Sequence, residues 1–266
     1  MSTQPLKYTW ITGATSGLGK GMTLAFAKRG HALILTARRE NVLKEVQQQA
    51  LTIGSPDVII MEMDMGDEAS IESGFKKINA GGIIVERLVN NAGISQRSPA
   101  LNTDMEVYRK IMEVDYFGVI HLTKLLLPQM VESKHGQFVV ISSLVGKFAT
   151  PLRSGYAAAK HALHGFFDAL RAEHFEDNIN VTIICPGFIH TDVSVNALTA
   201  DGSKQNKMDN AQANGMNPMV FGEKACASIL NKKNEVYIGG RETLGIYLNR
   251  YVPGLFRKII RKTAVT

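Results

Sequence analysis

Cysteine is almost missing from this sequence. The chain has 266 residues and two cysteines, Cys185 and Cys226. They lie far apart, without the spacing of a disulfide framework or a zinc site, as in a protein of a reducing compartment. Long apolar runs are missing too. No stretch approaches the ~18 uninterrupted apolar residues of a membrane span. Residues 1–7, Met-Ser-Thr-Gln-Pro-Leu-Lys, lack the apolar centre of a secretory signal, and the expected location is cytoplasmic. Aromatic residues are scarce at 7%. With no zinc-finger or RNP motif, the net charge of +6 is not read as nucleic-acid binding. The histidines have no matching ligands, so no metal is expected: His161 and His164 follow Lys160 on one helix without a partner cluster.

What is present is an alternation of short apolar runs and amphipathic stretches. Tyr8–Ile11, Ala32–Thr36, Val58–Met61, Arg87–Asn90, Phe138–Ile141, Val181–Ile184 and Val236–Ile238 read as seven strands. Helices fall between them, including a long one from about Met105 to Val131 that Pro128 is expected to end or kink. Strands that are apolar throughout are those covered on both faces. The expected fold is therefore α/β: a single-domain Rossmann fold, a doubly wound parallel sheet with helices on both faces, spanning residues 1–266. Residues 193–217 are polar, rich in Asn, Ala, Gly and Ser, with methionines nearby. They follow the end of a strand, where open α/β sheets bind ligands, and are read as a substrate-binding lid. Residues 241–266 form a basic amphipathic extension with six basic residues (Arg241, Arg250, Arg257, Lys258, Arg261, Lys262) against Glu242. Packing over the pocket or against a second subunit is favoured for it over a peripheral membrane contact.

Two motifs carry chemistry. Ser-Gly-Tyr-Ala-Ala-Ala-Lys places Tyr156 and Lys160 one helical turn apart on one face. A tyrosine hydroxyl titrates near ~10. An ammonium beside it favours the phenolate, so that it can exchange protons at neutral pH. Ser143, closing Ile-Ser-Ser, supplies a hydroxyl to the same substrate oxygen. The second motif is Thr12-Gly13-x-x-x-Gly17-x-Gly19, between the first strand and the first helix. Gly13 lets the strand turn, Gly17 lets backbone approach a pyrophosphate, and Gly19 permits close helix packing. The helix N-terminus then offers amides to the phosphates. After the second strand the chain reads Thr36-Ala37-Arg38-Arg39, with no acid before Glu40. An acid there would repel a 2′-phosphate, whereas guanidinium groups bind one. NADP(H) is therefore expected, held by Arg38 with help from Arg39 and Ser16, and Asp64 is placed to receive the adenine amino group.

Together with Asn90-Asn91-Ala92-Gly93 and Pro186-Gly187, these motifs resemble the short-chain dehydrogenase/reductase family over about residues 5–240. Ser194–Ser203 and the Pro-Gly-Leu-Phe of 253–256 look like the dehydrogenase/reductase members related to 11β-hydroxysteroid dehydrogenases. The resemblance implies Tyr156 as general acid–base, Lys160 on the nicotinamide ribose, and Ser143 orienting the substrate oxygen. It adds Thr15, Leu18, Asn91, Ala92 and Gly93 to the cofactor contacts, along with Pro186, Gly187, Ile189 (through its amide) and Thr191. It also implies a homodimer or homotetramer. One position departs from the pattern: Asp115 stands where the family has an asparagine that holds a relay water. An ionised aspartate accepts hydrogen bonds and cannot donate them.

The expected activity is NADP(H)-dependent interconversion of a carbonyl and a secondary alcohol on a hydrophobic or amphipathic small molecule, in the direction of carbonyl reduction. Two alternatives are a 3-oxoacyl-[acyl-carrier-protein] reductase, with Lys204, Lys207 or the tail receiving the acidic carrier, and a non-catalytic NADP(H)-binding redox sensor.

Overall fold

The strands separate their side chains into two cores with a period of two. In β2 (Ala32–Ala37), Ala32 and Ile34 enter one core and Leu33 and Leu35 the other. In β5 (Gly136–Ile141), Phe138 and Val140 divide from Val139 and Ile141 in the same way. Both faces are thus apolar, and both are covered by helices. The first core is closed by α3 (Glu68–Ala80), α5 (Gly118–Glu132) and α6 (Ser154–Glu173), through Ile71, Leu122, Leu126, Leu163 and Phe167. The second is closed by α1 (Gly17–Ala27), α2 (Glu40–Ile53) and α8 (Pro218–Leu230), through Met22, Phe26, Leu43, Val46 and Phe221. The computed structural model describes residues 5–261. Residues 1–4 of the signal reading and Lys262 with the rest of the extension's end lie outside the described residues.

The remaining strands are β1 (Lys7–Thr12), β3 (Val58–Glu62), β4 (Ile84–Asn90), β6 (Ile179–Pro186) and β7 (Glu235–Ile238). All seven pair in parallel in the order β3-β2-β1-β4-β5-β6-β7. The order reverses between β1 and β4, and the crevice over the strand ends at such a point is where open α/β sheets take ligands.

The helical region expected from about Met105 to Val131 is present, in three parts. It consists of α4 (Met105–Met112), a π-helical segment at Glu113–Phe117, and α5. Pro128 lies inside α5 and does not end it. A proline forfeits one helical hydrogen bond, and here the buried Leu122, Leu126 and Met130 hold the helix to the sheet on either side of it. The irregularity falls at 113–117 instead, around Asp115. The chain closes with α7 (Asn210–Ala213), which precedes α8, and then α9 (Leu244–Tyr251) and α10 (Pro253–Ile260).

Candidate active site

The first glycine turn is shaped by what cannot be there. Gly13 has φ +66, and a Cβ on it would lie 2.9 Å from the Ala92 Cα. Gly17 has φ +51, and its Cβ would meet the Thr191 methyl at 2.9 Å. Both torsions lie in the left-handed region that glycine tolerates. The Asn91 side-chain amide ties the turn to β4, donating to the Thr12 carbonyl at 2.9 Å and the Gly13 carbonyl at 3.2 Å. The Thr12 hydroxyl accepts from the Asn91 and Ala92 amides. Ser16 caps α1 in an extended conformation, and its side chain makes no cap hydrogen bond. The first turn of α1 thus lines the cleft at Ser16, Gly17 and Leu18 with no side-chain cap on its amides, an arrangement suited to a phosphate.

One cleft of about 1280 Å³ joins this turn to the Tyr156 helix. Thr15, Ser16, Leu18, Arg38, Arg39 and Asp64 line one end of it, and Pro186, Gly187, Ile189 and Thr191 line its middle. Asn91, Ala92, Gly93 and Asp115 line it too, as do Ser143, Tyr156 and Lys160. Gly19 is the exception among the candidate residues. It is buried behind the turn, where a Cβ would press on the Gly13 carbonyl and lie 2.6 Å from the Asn91 amide nitrogen. Its role is packing. Arg38 and Arg39 are exposed at the end of β2, and Arg39 donates to the Thr15 hydroxyl at 3.2 Å. Asp64 accepts from the Gly66 amide at 2.9 Å.

Around the tyrosine the geometry is closer still. Ser143 caps a short 3-10 turn (Leu144–Gly146), and its hydroxyl accepts from the Val145 amide at 3.3 Å. Tyr156 is half-buried, and Lys160 Nζ lies 5.5 Å from its ring centre. Lys160 donates to the Ile141 carbonyl at 3.2 Å and lies 3.1 Å from Asp115 Oδ2. Asp115 is fully buried, and its Oδ1 accepts from the Ile94 amide at 2.7 Å. Burial works against the Lys160 ammonium, but the Asp115 carboxylate and then the Tyr156 phenol outweigh it and hold the amine above its ordinary value. Burial lifts Asp115 above the usual carboxylate range, against the pull of Lys160. The π-helical turn aims this carboxylate inward; such turns recur at functional sites.

Sequence reasoning missed several residues that build the cleft. Asp209 Oδ2 accepts from Arg97 Nε at 2.8 Å and Nη2 at 2.6 Å, and lies 3.5 Å from Arg153 Nη2. Glu242 Oε1 accepts from the Phe188 and Gly240 amides, fixing the loop after β6 to the start of the tail. Gln212 donates to the Ile189 carbonyl and, at 3.3 Å, to the Thr191 hydroxyl. Arg97 and Asp209 are 112 positions apart, so no local spacing could announce the pair.

The 193–217 segment is stitched to the body. The Leu198 amide donates to the Ser95 carbonyl, and the Arg97 amide to the Leu198 carbonyl, both at 2.8 Å. Val193, Asn196, Leu198 and Lys204 line the cleft from it. The tail reaches the same cleft. Leu244, Leu248, Phe256 and Ile259 line it, and Phe256 packs edge-on to Phe148 at 5.0 Å.

Behind Ser143 lies a second buried group. His164 Nε2 sits 3.0 Å from the Ser142 hydroxyl, and Lys147 donates to Glu235 at 3.0 Å. Burial, then Lys147, pushes His164 down to about 4. A histidine depressed in the folded state binds fewer protons there than when unfolded. Its stability contribution is complete above ~6.5 and is lost as pH falls toward 4. Urea midpoints are expected to drop across that window and to drop less in His164→Gln. Equal pH slopes in the two proteins would refute this.

A family model described as short chain dehydrogenase matches residues 7–202. The chain is 40% identical over 260 residues to dehydrogenase/reductase SDR family member 7B of Bos taurus, covering 96% of this chain and 80% of that protein. It is 38% identical over 265 residues to dehydrogenase/reductase SDR family protein 7-like of Drosophila melanogaster, covering 98% and 81%. Among solved structures, a short-chain dehydrogenase from Streptomyces avermitilis aligns with TM-score 0.78 at 27% identity over 97% of this chain and 99% of that one. A short-chain dehydrogenase from Sphingobium yanoikuyae, solved with NADPH, shares the fold with TM-score 0.78 at 22% identity over 98% of each chain. On the matched residues and on the relatives spanning nearly its whole length, the protein belongs to the short chain dehydrogenase family.

Proposed function

We propose that the protein is an NADP(H)-dependent oxidoreductase that interconverts a carbonyl and a secondary alcohol, working mainly as a carbonyl reductase on hydrophobic or amphipathic molecules. The observation that carries this reading is the buried Lys160 ammonium beside Tyr156, in a cleft that Ser143 also lines.

The glycine turn fits a dinucleotide. Side chains are excluded at Gly13 and Gly17, and the uncapped first turn of α1 lines the cleft. When bound, the nicotinamide supplies hydride to the carbonyl carbon. The residues of the chain handle the proton and the charge. Tyr156 gives its hydroxyl proton to the substrate oxygen. Ser143 donates a hydrogen bond to that oxygen and steadies the charge developing there. Lys160 holds a positive charge beside the phenol, so the phenolate left behind is stabilised. Asp115 fixes the ammonium in place through a contact of 3.1 Å. Leu244, Leu248 and Phe256 give the substrate an apolar wall that excludes water.

The phosphate on the adenosine side is read by Arg38 and Arg39, exposed at the end of β2 with no acid before Glu40. The test is oxidation of NADPH and NADH, side by side, across a panel of aliphatic, steroid and fatty-acyl ketones. NADPH is expected to be preferred. Arg38→Glu is expected to raise KM for NADPH by roughly 10- to 100-fold, the loss of a charge-assisted hydrogen bond, and to leave KM for NADH nearly unchanged. Preference of the unaltered enzyme for NADH would overturn the cofactor reading. No oxidation of either cofactor with any ketone would overturn the reductase reading.

A further inference from the structure

At the entry to α6 the chain carries two buried polar atoms with nothing to bind. Arg153 is 7% exposed, and its Nε has no hydrogen-bond partner. The Thr150 hydroxyl, on the same turn, is likewise buried and unpartnered. Both residues line the cleft that holds Tyr156. Unpaired buried donors are costly and uncommon in folded proteins, so two on one turn facing one cavity call for a physical reason.

The backbone between them supplies a second observation. Leu152 has φ +67, a left-handed conformation that a branched side chain rarely adopts. Its carbonyl is held by the Ser98 amide at 3.1 Å. Strain of this kind survives where the surroundings enforce it, and it gathers at ligand sites. Here it turns the chain so that Arg153 enters the cleft immediately before the tyrosine helix.

The charges supply a third. Arg97 and Arg153 share one carboxylate, Asp209. Arg97 is well satisfied, with Asp209 at 2.6 and 2.8 Å and the Ser95 hydroxyl at 2.8 Å. Arg153 reaches the same carboxylate no closer than 3.5 Å. Asp209 meanwhile accepts from Gln205 at 3.0 Å through its other oxygen. Two guanidiniums against one carboxylate leave a surplus positive charge in a buried place. The surplus shows in Arg153 itself: burial first, then the neighbouring Arg97, brings it down to about 10 despite Tyr156 and Asp209. An anion would satisfy the charge and the orphaned donors together.

We propose that Arg153, with Thr150 and the Arg97–Asp209 pair behind it, forms a subsite for an anionic group of the substrate, so that the preferred substrates are ketones carrying a carboxylate or a phosphate monoester near the carbonyl and an apolar chain beyond it. This deepens the reductase reading and rests on it. Arg153 and Tyr156 stand one helical turn apart, so an anion on the first places the adjoining carbonyl at the second. The apolar remainder meets the wall of Phe148, Leu244, Leu248 and Phe256. Arg153 is a specificity residue here; proton transfer stays with Tyr156.

The test compares a medium-chain oxo-acid, its methyl ester and the corresponding oxo-alkyl phosphate, with NADPH. The unaltered enzyme is expected to show kcat/KM at least about 10-fold higher for an anionic ketone than for the ester, as one charge-assisted hydrogen bond gives. The carboxylate and phosphate arms show which anion fits. Arg153→Met, which keeps the apolar stem and removes the charge, is expected to lower the anion-to-ester ratio at least about 10-fold. Arg153→Lys should restore part of it. In parallel, dodecyl phosphate should raise the melting temperature of the unaltered protein more than that of Arg153→Met. A ratio near one in the unaltered enzyme overturns the proposal, and so does an equal loss on ester and acid in Arg153→Met. If Arg153→Met does not fold, the unaltered ratio and Arg153→Lys decide. Ketone turnover without anion preference sinks this subsite alone. Arg153-dependent binding of dodecyl phosphate without any ketone turnover sinks the reductase reading and leaves an anion site.

Discussion

Tyr156→Phe is expected to lower kcat for ketone reduction by at least about 1000-fold while cofactor binding stays intact. Tyr156 is half-buried on α6, and removing one oxygen from its ring leaves the packing of the helix alone. Lys160 keeps its contacts with Ile141 and Asp115, since neither runs through the phenol. What is lost is the group to which the proposed chemistry assigns the proton for the substrate oxygen, and positioned acid–base groups contribute roughly 10²–10⁴-fold. Single-turnover reduction with NADPH fluorescence as the binding control separates the effects. A variant that binds NADPH normally and retains a tenth of the rate would show that protonation comes from elsewhere, and the proposed chemistry would fail.

Asp115 separates two kinds of replacement. In Asp115→Ala the Lys160 ammonium remains buried without its counter-charge, and the Ile94 amide loses its acceptor. Breaking a buried pair from one side typically costs 3–5 kcal/mol, so a loss of about that size in urea unfolding is expected, with kcat falling alongside. Asp115→Asn keeps an oxygen for the Ile94 amide and relieves the carboxylate that raises Lys160. Turnover equal to or above that of the unaltered enzyme is expected, at a stability cost well below that of alanine. A large loss of kcat in Asp115→Asn with unchanged NADPH affinity would mean that the negative charge itself is required.

The fold was legible because strand signals and core are the same residues. Leu33, Leu35, Val139 and Ile141 are apolar because both sheet faces are covered, and an apolar run bounded by glycine is visible without coordinates. The Tyr156–Lys160 face and the glycine turn were legible for a similar reason: their geometry is local, set by one helical turn and by one strand-to-helix corner. Pro128 does not end α5, because propensity speaks for the helix alone, whereas contacts to the sheet hold α5 together across it. The π-helical turn at 113–117 left no sequence trace. Arg97, Asp209 and Arg153 were out of reach because their grouping arises only when three distant loops converge. Polar residues in irregular chain carry no period to read.

The tail has a consequence for how this enzyme could change. The proposed nucleotide contacts lie between β1 and the loop after β6, whereas Leu244, Leu248 and Phe256 line the cleft from the last two helices. Exchanging those three side chains reshapes the room left for a carbon skeleton without altering any residue assigned to the nucleotide. Under the proposed function, the choice of substrate can thus be rewritten in the last two helices while Ser143, Tyr156 and Lys160 keep their places.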